Sequence, residues 1–184
     1  MIAGQPGSMK TILALNMVDK IHVPTMYFSS DSDDFTMASR VMAMKSGEST
    51  EVTEQWTKTN VSNAQRILQS FDHVRWSFHS APTLDHMDLE MDAYAEINGE
   101  YPHLVVIDIM MDVDYEGAGE QNYWALMNEL KVMARKWMSA VLIVHHSSEG
   151  VKGEPCPPRS SIMGKANQLP ALILTLNGDR KSVV

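Results

Sequence analysis

Four short segments carry residue types whose order and spacing suit work on a phosphate ester. The first is Gly4-Gln5-Pro6-Gly7-Ser8-Met9-Lys10-Thr11, which follows a short apolar run and opens a helical pattern. Glycines let consecutive backbone N–H groups curl round phosphate oxygens, and a helix N-terminus adds its positive dipole end. In that setting Lys10 reaches the terminal phosphates and the Thr11 hydroxyl faces a Mg²⁺ ion. The spacing is that of a phosphate-binding P-loop, G-x-x-x-x-G-K-[ST], except that Met9 stands where the second glycine belongs. If the turn requires a positive φ there, a side chain is strained where glycine is not. A plain strand-to-helix turn with an incidental Lys-Thr pair is the alternative, and it leaves the Gly-Gln-Pro-Gly cluster unexplained.

The second segment, Leu104-Val105-Val106-Ile107-Asp108, places a carboxylate at the end of an apolar strand. That is the Walker-B arrangement, which holds Mg²⁺ directly or through water; a turn or helix cap is its bland counterpart. The third, Tyr27-Phe28-Ser29-Ser30-Asp31-Ser32-Asp33-Asp34, puts three acids just past a strand. Asp31 is the candidate base that orients water, whereas Asp33 and Asp34 suit the cap and first turn of the next helix. The fourth is Val141-Leu142-Ile143-Val144-His145-His146, a polar pair expected directly after a buried strand. His146 suits a sensor of the terminal phosphate, while His145 is as readily a packed residue. Adjacent histidines diverge on a strand and the other five show no ligand spacing, which argues against zinc.

These residues need a scaffold, and the pattern around them supplies one. Strand candidates are Met1–Ala3, Thr25–Ser29, His73–Phe78, Leu104–Asp108, Ala140–Val144 and Ala171–Leu176, alternating with helix candidates over 10–20, 34–45, 61–70, 84–98 and 122–137. Alternation of this kind predicts an α/β fold, a mostly parallel twisted sheet with helices on both faces. Leu104–Ile107 and Val141–Val144 are continuous apolar runs, as in strands covered on both sides. Two turn-rich stretches, 112–122 and 147–159, follow strands and so should emerge at the carboxyl edge, where open α/β sheets bind ligands.

The chain has 184 residues and 44% hydrophobic residues, enough for one domain with a sizeable core. Its formal charge of −8 argues against coating nucleic acid by bulk charge but leaves room for local basic loops. Cys156 is the single cysteine, so neither a disulfide framework nor a zinc-thiolate site is available, and a reducing, cytoplasmic setting is expected. No membrane span or signal peptide is evident. The 15 methionines, many at helical spacing such as Met37, Met42 and Met44, read as adaptable core filler.

In this order the motif segments, followed by Arg-Ser-Ser-Ile-Met-Gly-Lys-Ala-Asn-Gln at 159–168, resemble the RecA/DnaB superfamily of P-loop ATPases, most of all the small DnaB-like helicase proteins of bacteriophages. The resemblance implies a single RecA-like ATPase domain over 1–184 and an ATP-hydrolysing protein of DNA replication or recombination. It assigns Gly4, Gln5, Pro6, Gly7, Ser8, Met9, Lys10 and Thr11 to nucleotide binding, with Lys10, Asp31, Asp108 and His146 as catalytic residues. Thr11 and Asp108 are then the ligands of Mg²⁺, with Mn²⁺ as a substitute. It further implies a hexameric ring whose channel loops, 112–122 and 147–159, touch single-stranded DNA, with no membrane partner.

Departures from the family pattern carry their own expectations. Met9 replaces a glycine, and Asp31 is one methylene shorter than the family's glutamate, which predicts slow hydrolysis. The first channel loop holds Asp112, Asp114, Glu116 and Glu120 and no base, so DNA contact falls to Lys152, Arg159 and Lys165. The family's trans-acting basic finger lies beyond Val184, with Arg180 and Lys181 the only bases nearby; a strand-like start at Lys181–Val184 and a first strand beginning at Met1 suggest either a trimmed chain or an unusually minimal protein. Two other readings stay open on the residues alone. The acids Asp31, Asp33, Asp34, Asp108, Asp112 and Asp114 beside His145 and His146 could serve a divalent-metal DNA nuclease; or the chain binds nucleotide and DNA with little turnover.

Overall fold

The computed structural model describes residues 1–115, 123–148 and 157–177. Its centre is a sheet of six parallel strands: β1 (Ile2–Gly4), β2 (Thr25–Ser29), β3 (Val74–Ser77), β4 (Leu104–Asp108), β5 (Ala140–His146) and β6 (Leu174–Leu176), in the order β3-β2-β4-β5-β1-β6. The helices are α1 (Lys10–Ile21), α2 (Asp34–Ser46), α3 (Thr50–Glu54), α4 (Trp56–Thr59), α5 (Val61–Gln69), α6 (Leu84–Asn98) and α7 (Tyr123–Lys136).

Strand alternation divides the core into two layers. On β4, Val105 and Ile107 join Met87 and Met91 of α6 and Leu126, Met127 and Leu130 of α7. Leu104 and Val106 turn to the opposite face, toward Ala14, Leu15 and Val18 of α1, Met37, Val41 and Met42 of α2, and Ala64 and Ile67 of α5. These methionines are thus core residues on both faces, where an unbranched thioether fills irregular gaps, whereas Met138 and Met163 are exposed. Each fully buried side chain of this size stabilises the fold by roughly 1.5–3 kcal/mol.

Helix ends follow local chemistry. Asp33 caps α2, its Oδ1 accepting the Thr36 N–H at 2.8 Å, and Thr83 caps α6, accepting the His86 N–H at 3.1 Å. Both helices stop at a glycine in the left-handed region, Gly47 and Gly99.

Four features differ from the sequence expectation. Helices α3 and α4 were not expected, because five and four residues are too few to show a period; α3 is fixed instead by buried Thr53, whose hydroxyl donates to the Ser39 carbonyl at 3.0 Å. Strand β5 runs on through His146, so the histidine pair lies inside the strand rather than after it. Val141 and Leu142 are only half-buried, so β5 is covered on both faces only over Ile143–His145. Strand β6 is shorter than Ala171–Leu176, since only Leu174–Leu176 pairs with β1.

Ser147, just past β5, forms an isolated antiparallel bridge with Ile162. Residues 116–122 and 149–156, including Glu116, Glu120, Lys152 and Cys156, lie outside the described residues, as do Arg180 and the strand expected at Lys181–Val184. Among the described residues, no helix is long and apolar enough to cross a membrane.

Candidate functional site

The site starts where β1 ends. A Cβ on Gly4 would collide with Ser8 Oγ and lie 2.9 Å from the Leu176 carbonyl oxygen, so only glycine fits there. Gly7 has φ +78° and Met9 has φ 62°, both in the left-handed region. The strained geometry anticipated at Met9 is therefore present; the side chain is accommodated by pointing outward, 67% exposed. Met9 is also the N-cap of α1 and offers no side-chain acceptor, so the helix start keeps its outward-facing donors. Ser8 Oγ is buried without a partner among the described residues.

Lys10, 6% exposed, donates from Nζ to the carbonyls of Gly4 (3.1 Å) and Gln5 (2.8 Å). Burial lowers its pKa, while Asp108 and Asp31 act against that shift. A cradle with an orphaned hydroxyl, a lysine held in its mouth and an uncapped helix start fits a polyphosphate.

The facing wall is built from the ends of β2 and β4, which lie level at Ser29 and Asp108. Asp108 is 5% exposed, and its Oδ2 accepts the Tyr27 hydroxyl at 2.8 Å. The Thr11 side chain lies near enough to this carboxylate to favour its ionised form, so the loop and the wall act on each other. Burial pushes the Asp108 carboxyl above its usual range, against the pull of the Tyr27 hydrogen bond and the Thr11 side chain. Burial, then Asp108, raises the Tyr27 phenol well above its ordinary value. Ser30 stitches the strand ends together: its N–H donates to the Asp108 carbonyl at 2.8 Å and its Oγ accepts the Ile109 N–H at 3.0 Å.

Strand β5 lies between β1 and β4, with His146 level with Gly4 and His145 level with Ala3. The two rings diverge as expected. His146 is half-buried beside the cavity; burial lowers its pKa, with Lys10 adding to the shift. His145 is fully buried on the other side, with Nε2 3.1 Å from the Met163 carbonyl oxygen and its ring edge-on to Tyr123. Burial holds it down at about 4, so it packs as a neutral imidazole.

One cavity of about 400 Å³ is lined by Pro6, Gly7, Met9, Lys10 and Thr11 on one side and by Asp31, Arg40, Asp108 and His146 on the other. The structure thus brings together the sequence-predicted Lys10, Thr11, Asp31, Asp108 and His146. Asp33 is taken up by its cap, and Asp34 accepts the Phe35 N–H at 2.8 Å. Asp112 is half-buried, its pKa raised chiefly by burial. Among the described residues, no three His, Cys, Asp or Glu side chains group as a metal-ligand set. Of the carboxylates counted for a nuclease, Asp33 and Asp34 bond backbone N–H groups at the start of α2, whereas Asp31 and Asp108 share the cavity. A larger hollow of about 800 Å³ runs between β3 and α6, but it does not include the loop or the paired carboxylates.

Sequence reasoning missed two residues here. Tyr27 is a phenol inside a fully buried strand, and a buried phenol needs an acceptor; that signal was available. Arg40 lies two turns into α2, and seven residues after Asp33 brings it back to the same helix face. Of the basic residues expected on DNA, Arg159 donates from Nε to the Asn167 carbonyl at 2.9 Å and again from Nη2. Asn167 Nδ2 returns a bond to the Arg159 carbonyl at 2.9 Å, so this guanidinium ties down the 3₁₀ turn Met163–Gln168. Lys165 lies on that turn, and Lys152 is outside the described residues.

Residues 1–155 match the family model of the DnaB-like helicase C-terminal domain. The chain is 31% identical to the Gene 65 protein of Mycobacterium phage D29 over 96% of its own length and 79% of the relative's. Against the Gene 65 protein of Mycobacterium phage L5 the identity is again 31%, covering 96% of this chain and 68% of the relative. Among solved structures, one described as an ATPase domain superposes with a TM-score of 0.64 at 13% identity, over 80% of this chain and 56% of that one. A DnaB-like replicative helicase, described with its interactions with primase, gives 0.68 at 15% identity, over 84% of this chain and 40% of that one. At such identities the two superpositions establish the RecA-like fold and no more, and this chain spans only part of either structure. The match over most of its length does establish the family: the chain belongs to the DnaB-like helicase C-terminal domain family.

Proposed function

We propose that this chain hydrolyses ATP in the cavity between the Gly4–Thr11 loop and the β2–β4 carboxylates, and uses the hydrolysis to act on DNA as a helicase-like replication protein. The observation that carries this reading is the convergence of Lys10, Thr11, Asp31, Asp108 and His146, from four separate segments, on one cavity at the carboxyl edge of the sheet. The loop N–H groups and Lys10 bind the phosphates, and the wall orients what attacks them. Asp31, exposed at the cavity, accepts a proton from the attacking water. Thr11 and Asp108, which line the same cavity, are the residues that would hold Mg²⁺. When bound there, the ion neutralises charge on the phosphate oxygens. His146, level with Gly4, reads the terminal phosphate, and β5 passes the change to the segment beyond Ser147.

DNA contact through Lys152, Arg159 and Lys165, and assembly into a ring, belong to the same proposal and rest on family membership. Arg159 engages DNA only if it exchanges its Asn167 carbonyl for a phosphate. The test is phosphate release from ATP, measured beside degradation of labelled single-stranded DNA, with and without Mg²⁺. The expected result is Mg²⁺-dependent release that DNA accelerates while the strand stays intact. Cleavage of DNA with metal alone, and no phosphate release, would overturn the reading.

A further inference from the structure

We propose that Arg40 contacts the terminal phosphate of the bound triphosphate, as a second cation supplied by the same chain from the wall opposite the loop. This rests on the proposed nucleotide site and goes beyond it, because Arg40 belongs to none of the motif segments. Three observations carry it. First, Arg40 lines the same cavity as Lys10, Asp31 and Asp108. Second, its half-buried guanidinium uses one nitrogen locally: Nη1 donates to Ser32 Oγ at 2.7 Å and lies 3.8 Å from Met37 Sδ. Among the described residues, Nε and Nη2 take no protein acceptor, so part of the fork remains for a ligand; the guanidinium geometry matches two phosphate oxygens at once.

Third, the charges of the protein groups favour it. Arg40 is close enough to act on Asp108 and on Tyr27 electrostatically. With it, Lys10 and Arg40 balance the Asp31 and Asp108 carboxylates; without it, the protein groups of the lining carry a net negative charge, which disfavours a polyphosphate.

The competing role is a latch that holds the acidic turn through Ser32. Equilibrium titrations with fluorescent ADP and a fluorescent non-hydrolysable ATP analogue, both with Mg²⁺, separate the two. Arg40→Ala is expected to weaken the triphosphate about 10- to 100-fold, the worth of a lost charge-assisted contact, and the diphosphate less than about twofold. Arg40→Lys, which keeps the charge and loses the fork, falls between, and Ser32→Ala keeps the triphosphate affinity. Arg40→Lys also carries the comparison if Arg40→Ala does not fold by circular dichroism. Equal weakening of both nucleotides, or loss of triphosphate affinity in Ser32→Ala, overturns the phosphate contact in favour of the latch. Failure of the unmodified protein to bind either nucleotide is a different result, and it overturns the nucleotide site itself.

Discussion

The two sides of the cavity are built by opposite means. The loop side is one unbroken run, Gly4 to Thr11, whose chemistry comes from backbone conformation: Gly4 has no room for a side chain, and Gly7 and Met9 turn left-handed. The facing wall is assembled from side chains on separate segments, Tyr27 and Asp31 around β2, Arg40 on α2 and Asp108 on β4. A loop of backbone donors tolerates a foreign side chain as long as that side chain points away, as Met9 does. The wall tolerates less, because each buried group depends on a partner contributed from elsewhere. Substitutions on the loop should therefore act mainly on binding, and substitutions on the wall on binding and folding together.

The largest expected effect breaks the loop side. Lys10→Ala removes its buried cation and should lower phosphate release by about 10²- to 10³-fold, the scale of losing one preorganised charge contact. Its melting temperature should stay near that of the unmodified protein, and a collapse of the fold would contradict the division drawn here.

Asp108→Asn sharpens the contrast. Burial raises the Asp108 carboxyl above its unfolded value, so ionisation works against folding: the stabilisation is whole below the unfolded pKa and is lost as pH rises through the folded one. Asparagine keeps an oxygen for the Tyr27 hydroxyl and carries no charge. Phosphate release should drop by about 10²-fold. Melting at pH 7 without Mg²⁺ should rise, on the order of 1 kcal/mol or about 2–4 °C for a chain of this size. A lower melting temperature would mean that Asp108 contributes more through its bonds than its burial costs.

Acid should act in the other direction through β5. His145 is held at about 4 against an ordinary 6.5, and burial lowers His73 and His146 as well. A depressed histidine contributes stability that is whole above its unfolded pKa and disappears as pH falls toward the folded one. Urea denaturation should therefore show a loss between pH 7 and pH 4, with His145 contributing at most about 3 kcal/mol. In His145→Phe, which keeps a ring against Tyr123, the fall should be shallower; an unchanged slope would place the acid sensitivity elsewhere.

The smallest effect is at Met9. Glycine relieves a left-handed strain of about 1–2 kcal/mol and gives back roughly 0.5–1 kcal/mol in chain entropy. Met9→Gly should raise the melting temperature by no more than a few degrees and leave triphosphate affinity equal or tighter. A clear loss of affinity would show that the exposed thioether takes part in binding.

These contrasts also explain what could be read from the chain alone. The loop was recognisable because its chemistry is contiguous, and Asp108 because an acid ends an apolar run. The strand order that places β5 between them was not written locally. Nor was the pairing of Tyr27 with Asp108, which lie far apart in sequence and meet only because β2 and β4 are neighbours. Arg40 looked like an ordinary charged helix residue, and only the position of α2 against the acidic turn puts it on the cavity. His145 and His146 were seen as a pair, but their opposite environments follow from β5 continuing two residues further than its apolar run.

Crystals soaked with a non-hydrolysable ATP analogue and Mg²⁺ give the most direct test of the central claim. The account predicts the phosphate chain at the start of α1, over the N–H groups of Gly7 to Thr11, with Lys10 moved from the Gly4 and Gln5 carbonyls onto the terminal phosphates. An analogue bound in the hollow between β3 and α6, with Lys10 still on its carbonyls, would contradict it.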